Sequence, residues 1–435
     1  MTASPTTGSR SPVSRSTPVL WACALVLAAL ATVKLRGGFE RLLLWREDGA
    51  IDLLLRYDEV GAWFAGYWIK GAVYPPASQA MLWPIVGWMT FRSARALWAL
   101  LFMASLVWLS ILCMRESGAR STAGRVACAF LPLALNSTAS SVGIGQLVLF
   151  FLPVVVTSVL WMVRRPPTWP NSLATAGLFT LAALKPTLFA PFAWLVLVLG
   201  RSWKPAILSA ALYAILTLGA LAALHPVETG AGDASAEANL AATIEGRMKW
   251  ATEARPLTED RRTLFGGGYG NLQNMSQQAG LVGLENFVLP VVSVLLCGAW
   301  AWRHRRADPW ILLGVCALAA RLGWYHRVYD DALLLLPMIA LVRIASSRGR
   351  AGGADDRTAS RALWLLGATI LQTAMPANFS RFSLWLLGSL AIFVWLADLW
   401  FLATVAPALE IGHVEAPRES TQAEPAFPYT AAGGA

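Results

Sequence analysis

EDGAIDLLLRYDEVGAWFAGYWIKGAVYPPASQAMLWPIVGWMTF, residues 47–91, is the stretch whose reading decides the architecture. Its last part, Ser78 to Phe91, is apolar but only 14 residues long, short of the roughly 20 that a helix needs to cross a bilayer. If it crosses, the orientation of every later loop inverts. Its first part gathers Asp48, Asp52, Asp58 and Glu59 with Arg56, a run of aromatics and the Tyr74-Pro75-Pro76 turn. An acidic, proline-punctuated segment in an apolar chain is where chemistry is expected.

The chain of 435 residues is 56% hydrophobic and 14% charged, with a mean hydropathy of +0.53. Soluble domains carry about 25% charged residues, so the composition predicts an integral membrane protein. Apolar runs of helix length recur, and the alternating pattern of a membrane barrel is absent. The expected fold class is therefore all-α and polytopic. A net charge of +10 and a pI near 9.7 do not make this a nucleic-acid binder. Most cations sit in short loops between apolar runs, where topology selection places them. Cys23, Cys113, Cys128, Cys297 and Cys316 fall within apolar runs without metal-type spacing and read as small core hydrophobes.

Residues 1–16, rich in Ser, Thr and Pro, read as a disordered cytoplasmic N-terminus. Thr17 to Leu35 is too long for a signal-peptide core and reads as a first span. A first outer loop follows over 36–95, with Ser78–Phe91 lodged partway into the membrane. Spans are expected at 96–114, 126–140, 147–163, 172–186, 187–200, 205–224, 286–302, 309–325, 332–345, 362–376 and 382–406. If Ser78–Phe91 does not cross, the cytoplasmic loops collect Arg115, Arg120, Arg125, Arg164, Arg165, Arg201, Lys204, Arg303, Arg305, Arg306, Arg343, Arg348, Arg350, Arg357 and Arg361. The outer turn 141–146 holds none of them. That asymmetry predicts about twelve transmembrane helices over 17–406 with both ends cytoplasmic. A second large outer loop runs over 225–285, and 407–435 reads as a disordered tail. The joint at 172–200, two short spans flanking Lys185, is the weak point of this topology.

Asp52 is the first candidate for chemistry. A positioned carboxylate can take a proton from a hydroxyl nucleophile, an effect worth about 10²–10⁴-fold. The structural alternative is a solvated carboxylate paired with Arg56 one turn on, and Asp48 and Asp58 compete for the same role. Lys185, at a proline-broken helix in ALKPTLFAPF, suits a phosphate contact or simple snorkelling to the interface. In RLGWYHRVYDD, Arg321, His326 and Arg327 could grip an anionic head group, or anchor a span end together with Trp324 and Tyr325. Gly145-Gln146 puts an amide at a span mouth. Asn271, Gln273, Asn274 and Gln277 offer the neutral hydrogen-bonding groups that read sugar hydroxyls, or form an ordinary loop.

These pieces, in this order, resemble glycosyltransferase family 87, whose members include polyprenyl-phosphate-mannose-dependent α-mannosyltransferases of the C-type fold. The resemblance rests on Asp52-Leu53, Gly66, Tyr74-Pro75-Pro76, Pro84, Leu97-Trp98, Gly145-Gln146, Lys185-Pro186-Thr187, Asn271 to Ser276, and Tyr325-His326 through Leu336-Pro337. It extends over about residues 20–345. The resemblance implies a C-type bundle in the cell membrane, serving the cell envelope, with its active site on the non-cytoplasmic face. It implies transfer of a sugar, mannose first and arabinofuranose as the variant among related members, from a polyprenyl-phosphate donor to a glycolipid or polysaccharide acceptor. Asp52 would be the catalytic base and the reaction inverting. Lys185, Arg321, His326 and Arg327 would hold the donor phosphate, and Tyr74, Gln146, Asn271 and Asn274 would line the site. Arg56 stands where many members have tyrosine. Neither a metal nor another cofactor is expected, because the loop lacks a DxD triplet and no His/Cys ligand set appears. The alternative from another class is a transporter or lipid flippase of the cell envelope, with midplane charges and broken helices in two related halves. A non-enzymatic scaffold is a third.

Overall fold

Proline and glycine set most of the boundaries in this structure. The computed structural model describes residues 16–44, 49–66, 74–200, 202–223, 271, 284–323, 326–374 and 381–409. Among them every regular element is helical. The first half comprises α1 (Ser16–Leu43), α2 (Ile51–Phe64), α3 (Pro76–Leu82), α4 (Phe91–Glu116), α5 (Thr122–Ala134), α6 (Asn136–Ile144) and α7 (Val148–Arg164). Then come α8 (Trp169–Ala182), α9 (Pro186–Val198), α10 (Lys204–Ala222), α11 (Leu284–Arg303), α12 (Pro309–Gly323), α13 (Leu335–Ser346), α14 (Asp356–Ala374) and α15 (Arg381–Thr404). Proline stands within the first two residues of α3, α8, α9 and α10, where its missing N–H leaves no hydrogen bond unmade. Thr90 and Ser121 accept backbone N–H groups to cap α4 and α5.

α1, α4 and α10 are each long and apolar enough to cross a membrane, and α5 with α6 makes a further candidate, bent by 44°. Large apolar side chains cover their outer faces: Leu25 is 68% exposed, Val33 72% and Ile215 64%. Water would not tolerate such a surface over several helices, whereas lipid does. α12 and α13 are buried nearly all round and form the centre of the bundle.

The segment that decided the topology behaves as a short one. Pro76–Leu82 is helical and runs into a wide turn over Trp83–Gly87 that contains Pro84. α1 continues to Leu43, eight residues beyond the expected end of the first span, with Arg36 and Glu40 paired on its exposed side at 2.9 Å. The span expected at 126–140 is broken: Leu135 is extended, and α6 occupies part of what reads as an outer turn. Pro132 lies inside α5 three residues before the break, and Thr138 Oγ1 donates to its carbonyl across the break at 2.6 Å. The weak joint resolves into a helical hairpin. α8 and α9 are separate, Lys185 sits at the tip, and Gly200 returns beside Asn171 and Ser172 at the start of α8.

The bundle has two chemically distinct ends. At one, Arg164 pairs with Glu116, Arg343 with Asp308, and Arg348 with Asp356. Arg343 also donates to the Glu116 carbonyl, and Arg120 to that of Arg348 at 2.6 Å. At the other end lie α2, α3 and the mouths of α7, α9 and α12. The 17 residues of α7 hold the two ends about 25 Å apart.

Candidate active site

Apolar periodicity on α2 puts Leu53, Arg56, Glu59, Val60 and Trp63 on its buried face. Two anchors pin its start. Ala50 adopts φ 56°, a left-handed conformation, and donates its N–H to the Gly143 carbonyl at 2.8 Å. Gly145 has φ 80° and lies so close that an added Cβ would meet Leu53 Cβ at 2.6 Å. The far end closes at Gly66, φ 84°. The consequence is that Asp52 faces the mouth of α7.

There Gln146 Nε2 donates to Asp52 Oδ2 at 2.6 Å, while Gln146 Oε1 accepts Leu147 N–H at 3.0 Å and Lys185 Nζ at 3.3 Å. Lys185 Nζ also donates to Asp330 Oδ1 at 2.8 Å, and the other oxygen of Asp330 faces His326 Nδ1 at 3.1 Å. Arg327 N–H adds a long contact to Asp330 Oδ2, 3.4 Å. Asp52, Gln146, Lys185, Asp330 and His326 therefore form one continuous chain of polar contacts, contributed by α2, α7, the α8–α9 tip and the segment before α13. His326 is 1% exposed, and its Nε2 has no hydrogen-bond partner among the described residues. Ser78 Oγ donates to the Leu184 carbonyl at 2.9 Å and so ties α3 to the lysine tip.

Arg56 does not pair with Asp52. Its guanidinium engages Glu59 and lies over the Tyr74 ring, 4.2 Å from the centroid. The solvated Asp52–Arg56 pair considered from sequence is thus replaced by an Asp52–Gln146 bond. Burial pushes the Asp52 carboxyl above its ordinary range, with Lys185, Arg56 and Arg327 opposing. Arg321 is fully buried, bonds Asp331 at 2.5 Å and lies 4.4 Å from the Trp395 ring centroid. Its charge is thereby committed within the core. Asp58 lies on the exposed side of α2 and carries no such network. Asn271 is buried. Asp48, Asn274, Trp324 and Tyr325 lie outside the described residues, as do most of 225–285, nearly all of 1–16 and most of the 407–435 tail.

Asp330 and Asp331 are the site residues that the sequence reading missed. The signal was available: Asp330 stands four residues after His326, the spacing that brings two side chains onto one face of a helical turn.

The arrangement places a partly buried carboxylate on one side of an amide and a lysine–histidine pair, held by a second carboxylate, on the other. The family model of glycosyltransferase family 87 matches residues 72–324, more than half of the chain. The chain belongs to glycosyltransferase family 87. It is therefore a glycosyltransferase carrying the apolar helices of a membrane protein. The matched segment holds Tyr74, Gln146, Lys185, Asn271, Asn274 and Arg321. Asp52 precedes it, and His326, Arg327 and Asp330 follow it, so these four are joined to the family 87 segment by geometry alone. No curated protein and no solved structure matches the chain.

Proposed function

We propose that this family 87 enzyme transfers a sugar, mannose first, from a polyprenyl-phosphate carrier to a glycolipid or polysaccharide acceptor on the non-cytoplasmic face of the cell membrane. The observation that carries the proposal is the sharing of Gln146 between Asp52 and Lys185. The acceptor hydroxyl loses its proton to Asp52 as its oxygen attacks the anomeric carbon. The bond from that carbon to the phosphate oxygen breaks on the opposite face, and configuration inverts. Polyprenyl phosphate leaves as an anion and needs no second acid, unlike the leaving group of a glycosidase. Lys185, Arg327 and His326, its Nδ1 beside Asp330 at 3.1 Å, surround the phosphate, with the two cations stabilising the charge that grows on it. Arg321, spent on Asp331, supports that cluster from behind without touching the donor. Tyr74, Gln146, Asn271 and Asn274 line the sugar side.

The same reading gives a C-type bundle of about twelve spans with both chain ends cytoplasmic. The distribution of charge supports it: the basic loops gather at the end opposite Asp52, as expected when the site faces outward. The carrier's hydrocarbon lies along the bundle, and membrane lipid surrounds the rest.

The test is transfer by the purified chain in lipid vesicles, given radiolabelled polyprenyl-phosphate mannose and a membrane extract as acceptor source. Label moving to an acceptor in the presence of the wild-type chain and not of Asp52→Asn is the expected result. Translocation of labelled donor without transfer, or no effect at all, overturns the reading.

A further inference from the structure

A cleft at the basic end of the bundle, remote from Asp52, has features that the transfer reaction does not use. It lies between the end of α7, the start of α8 and the entry to α10, and is shallow and largely open to solvent. Trp161, Arg165, Asn171, Ser172, Ser202 and Pro205 are among its walls, and no carboxylate among the described residues lines it. Ser172 is 1% exposed and its hydroxyl has no partner among the described residues. The buried indole nitrogen of Trp161 is likewise unpaired. Both are donors that an acceptor in the cleft would satisfy. Thr175, one turn further on, has no such need, because its hydroxyl is spent on the Asn171 carbonyl at 2.8 Å.

The electrostatics have one sign. α8 and α10 both begin here, and neither has a side-chain hydrogen bond at its N-cap residue, Thr168 or Trp203. Ser202 Oγ accepts Lys204 N–H at 3.2 Å. The positive ends of two helix dipoles favour an anion here. Arg165 flanks the opening over the Trp161 ring, 5.2 Å from its centroid, and Lys204 lies 4.6 Å from that of Trp169. The setting is also a membrane surface. Trp169 and Trp203, 61% and 67% exposed, stand on either side as interfacial aromatics do.

We propose that this cleft binds the phosphate of an anionic phospholipid in the leaflet opposite the active site. Ser172 and the Trp161 N–H donate to the phosphate oxygens, Arg165 supplies the opposing charge, and the acyl chains run along the exposed apolar faces of α8 and α10. The hydroxyl and indole donors select phosphate, and the tryptophan pair selects a lipid over a free ion.

The experiment follows thermal unfolding of the delipidated full-length chain in neutral detergent. It is titrated separately with dioctanoyl phosphatidylglycerol, dioctanoyl phosphatidylcholine and inorganic phosphate. Phosphatidylglycerol should raise the midpoint saturably and the other two much less. Arg165→Gln and Ser172→Ala should each weaken the apparent affinity about fivefold, while Arg305→Gln, the same charge loss at the same end but off the cleft, should leave it unchanged. Arg165 is exposed, so its variant carries the test even if the buried Ser172→Ala change disturbs folding. Equal affinity in the wild type and the Arg165 variant overturns the site. An equal effect from phosphatidylcholine removes the charge selection, and an equal effect from inorganic phosphate removes the lipid.

Discussion

Asp52 and Lys185 hold opposite ends of one amide: Gln146 gives Nε2–H to Asp52 at 2.6 Å and receives Lys185 Nζ at 3.3 Å. An intervening neutral group matters chemically. A direct ion pair with Asp52 would weaken the base; the direct ion pair of Lys185 is instead with Asp330, at 2.8 Å. With Gln146 between them, the base and the cation sit at a fixed spacing while each keeps its own task. That spacing fits a displacement in which the hydroxyl enters on one face of a carbon and phosphate leaves from the other.

Replacing Asp52 with Asn preserves shape and removes the proton acceptor. Transfer should fall by about 10²–10⁴-fold, while binding of the lipid donor, followed by photolabelling with an analogue, should remain. Undiminished transfer in the variant would take Asp52 out of the mechanism and return attention to Asp48 and Asp58.

The pH dependence has a defined sign. Asp52 works ionised, and burial raises its carboxyl above the ordinary range, with Lys185 the first of the groups that pull it back. The value of kcat/KM should therefore rise with pH through that raised value and flatten above it. Lys185→Met removes the largest opposing influence, so the acid limb should move to higher pH as well as lowering the plateau. An acid limb that stays in place in the Lys185 variant would separate the two residues electrically and sink the shared-amide account.

Asp330 is a positioning residue in this scheme, and Asp330→Asn tests it. The amide keeps the size but releases Lys185 Nζ and His326 Nδ1 from a carboxylate that now accepts both. Uncoupling a buried charge pair destabilises by about 3–5 kcal/mol, so a lower unfolding temperature is expected. The specific readout is kinetic: KM for the donor should rise more than kcat falls, and combination with Lys185→Met should add little further. A purely structural role would lower the yield of folded protein without that non-additivity.

Much of this site was legible from residue types, and the unread part has a physical reason. Lys185 at a proline-broken helix and Gln146 after a glycine could be singled out because polar groups are rare and costly at such depths. Their convergence with Asp52 could not, since contacts across 94 and 39 residues depend on packing. Asp330 was overlooked because the basic residues before it made the segment look like an anchor for a span end. In the fold, charge asymmetry argues against a crossing at Ser78–Phe91, where the structure has a short helix, Pro76–Leu82, and a wide turn. Hydropathy did not reveal the kink at Leu135, because α5 and α6 remain apolar on both sides of it. It also stopped α1 too early, as Arg36, Glu40 and Arg41 end an apolar run without ending a helix.

Gly145 offers the sharpest link between backbone and chemistry. Its φ of 80° suits glycine, and an L-residue there costs roughly 1–2 kcal/mol. An alanine Cβ would also press on Leu53 at 2.6 Å from Cβ and 3.2 Å from the backbone nitrogen. Leu53 cannot yield alone, because part of the clash is with the backbone of α2, so the helix must shift and take Asp52 away from Gln146. Gly145→Ala should therefore lower the unfolding temperature and reduce kcat together, with donor binding at Lys185 less affected. Gly61 on the exposed side of the same helix supplies the control. A Cβ there meets nothing within 4 Å, and alanine should stabilise α2 by about 0.5–1 kcal/mol with kcat unchanged. Comparable kcat values for the two variants, measured on folded protein isolated by size-exclusion chromatography, would show that the placement of α2 against α7 does not set the rate.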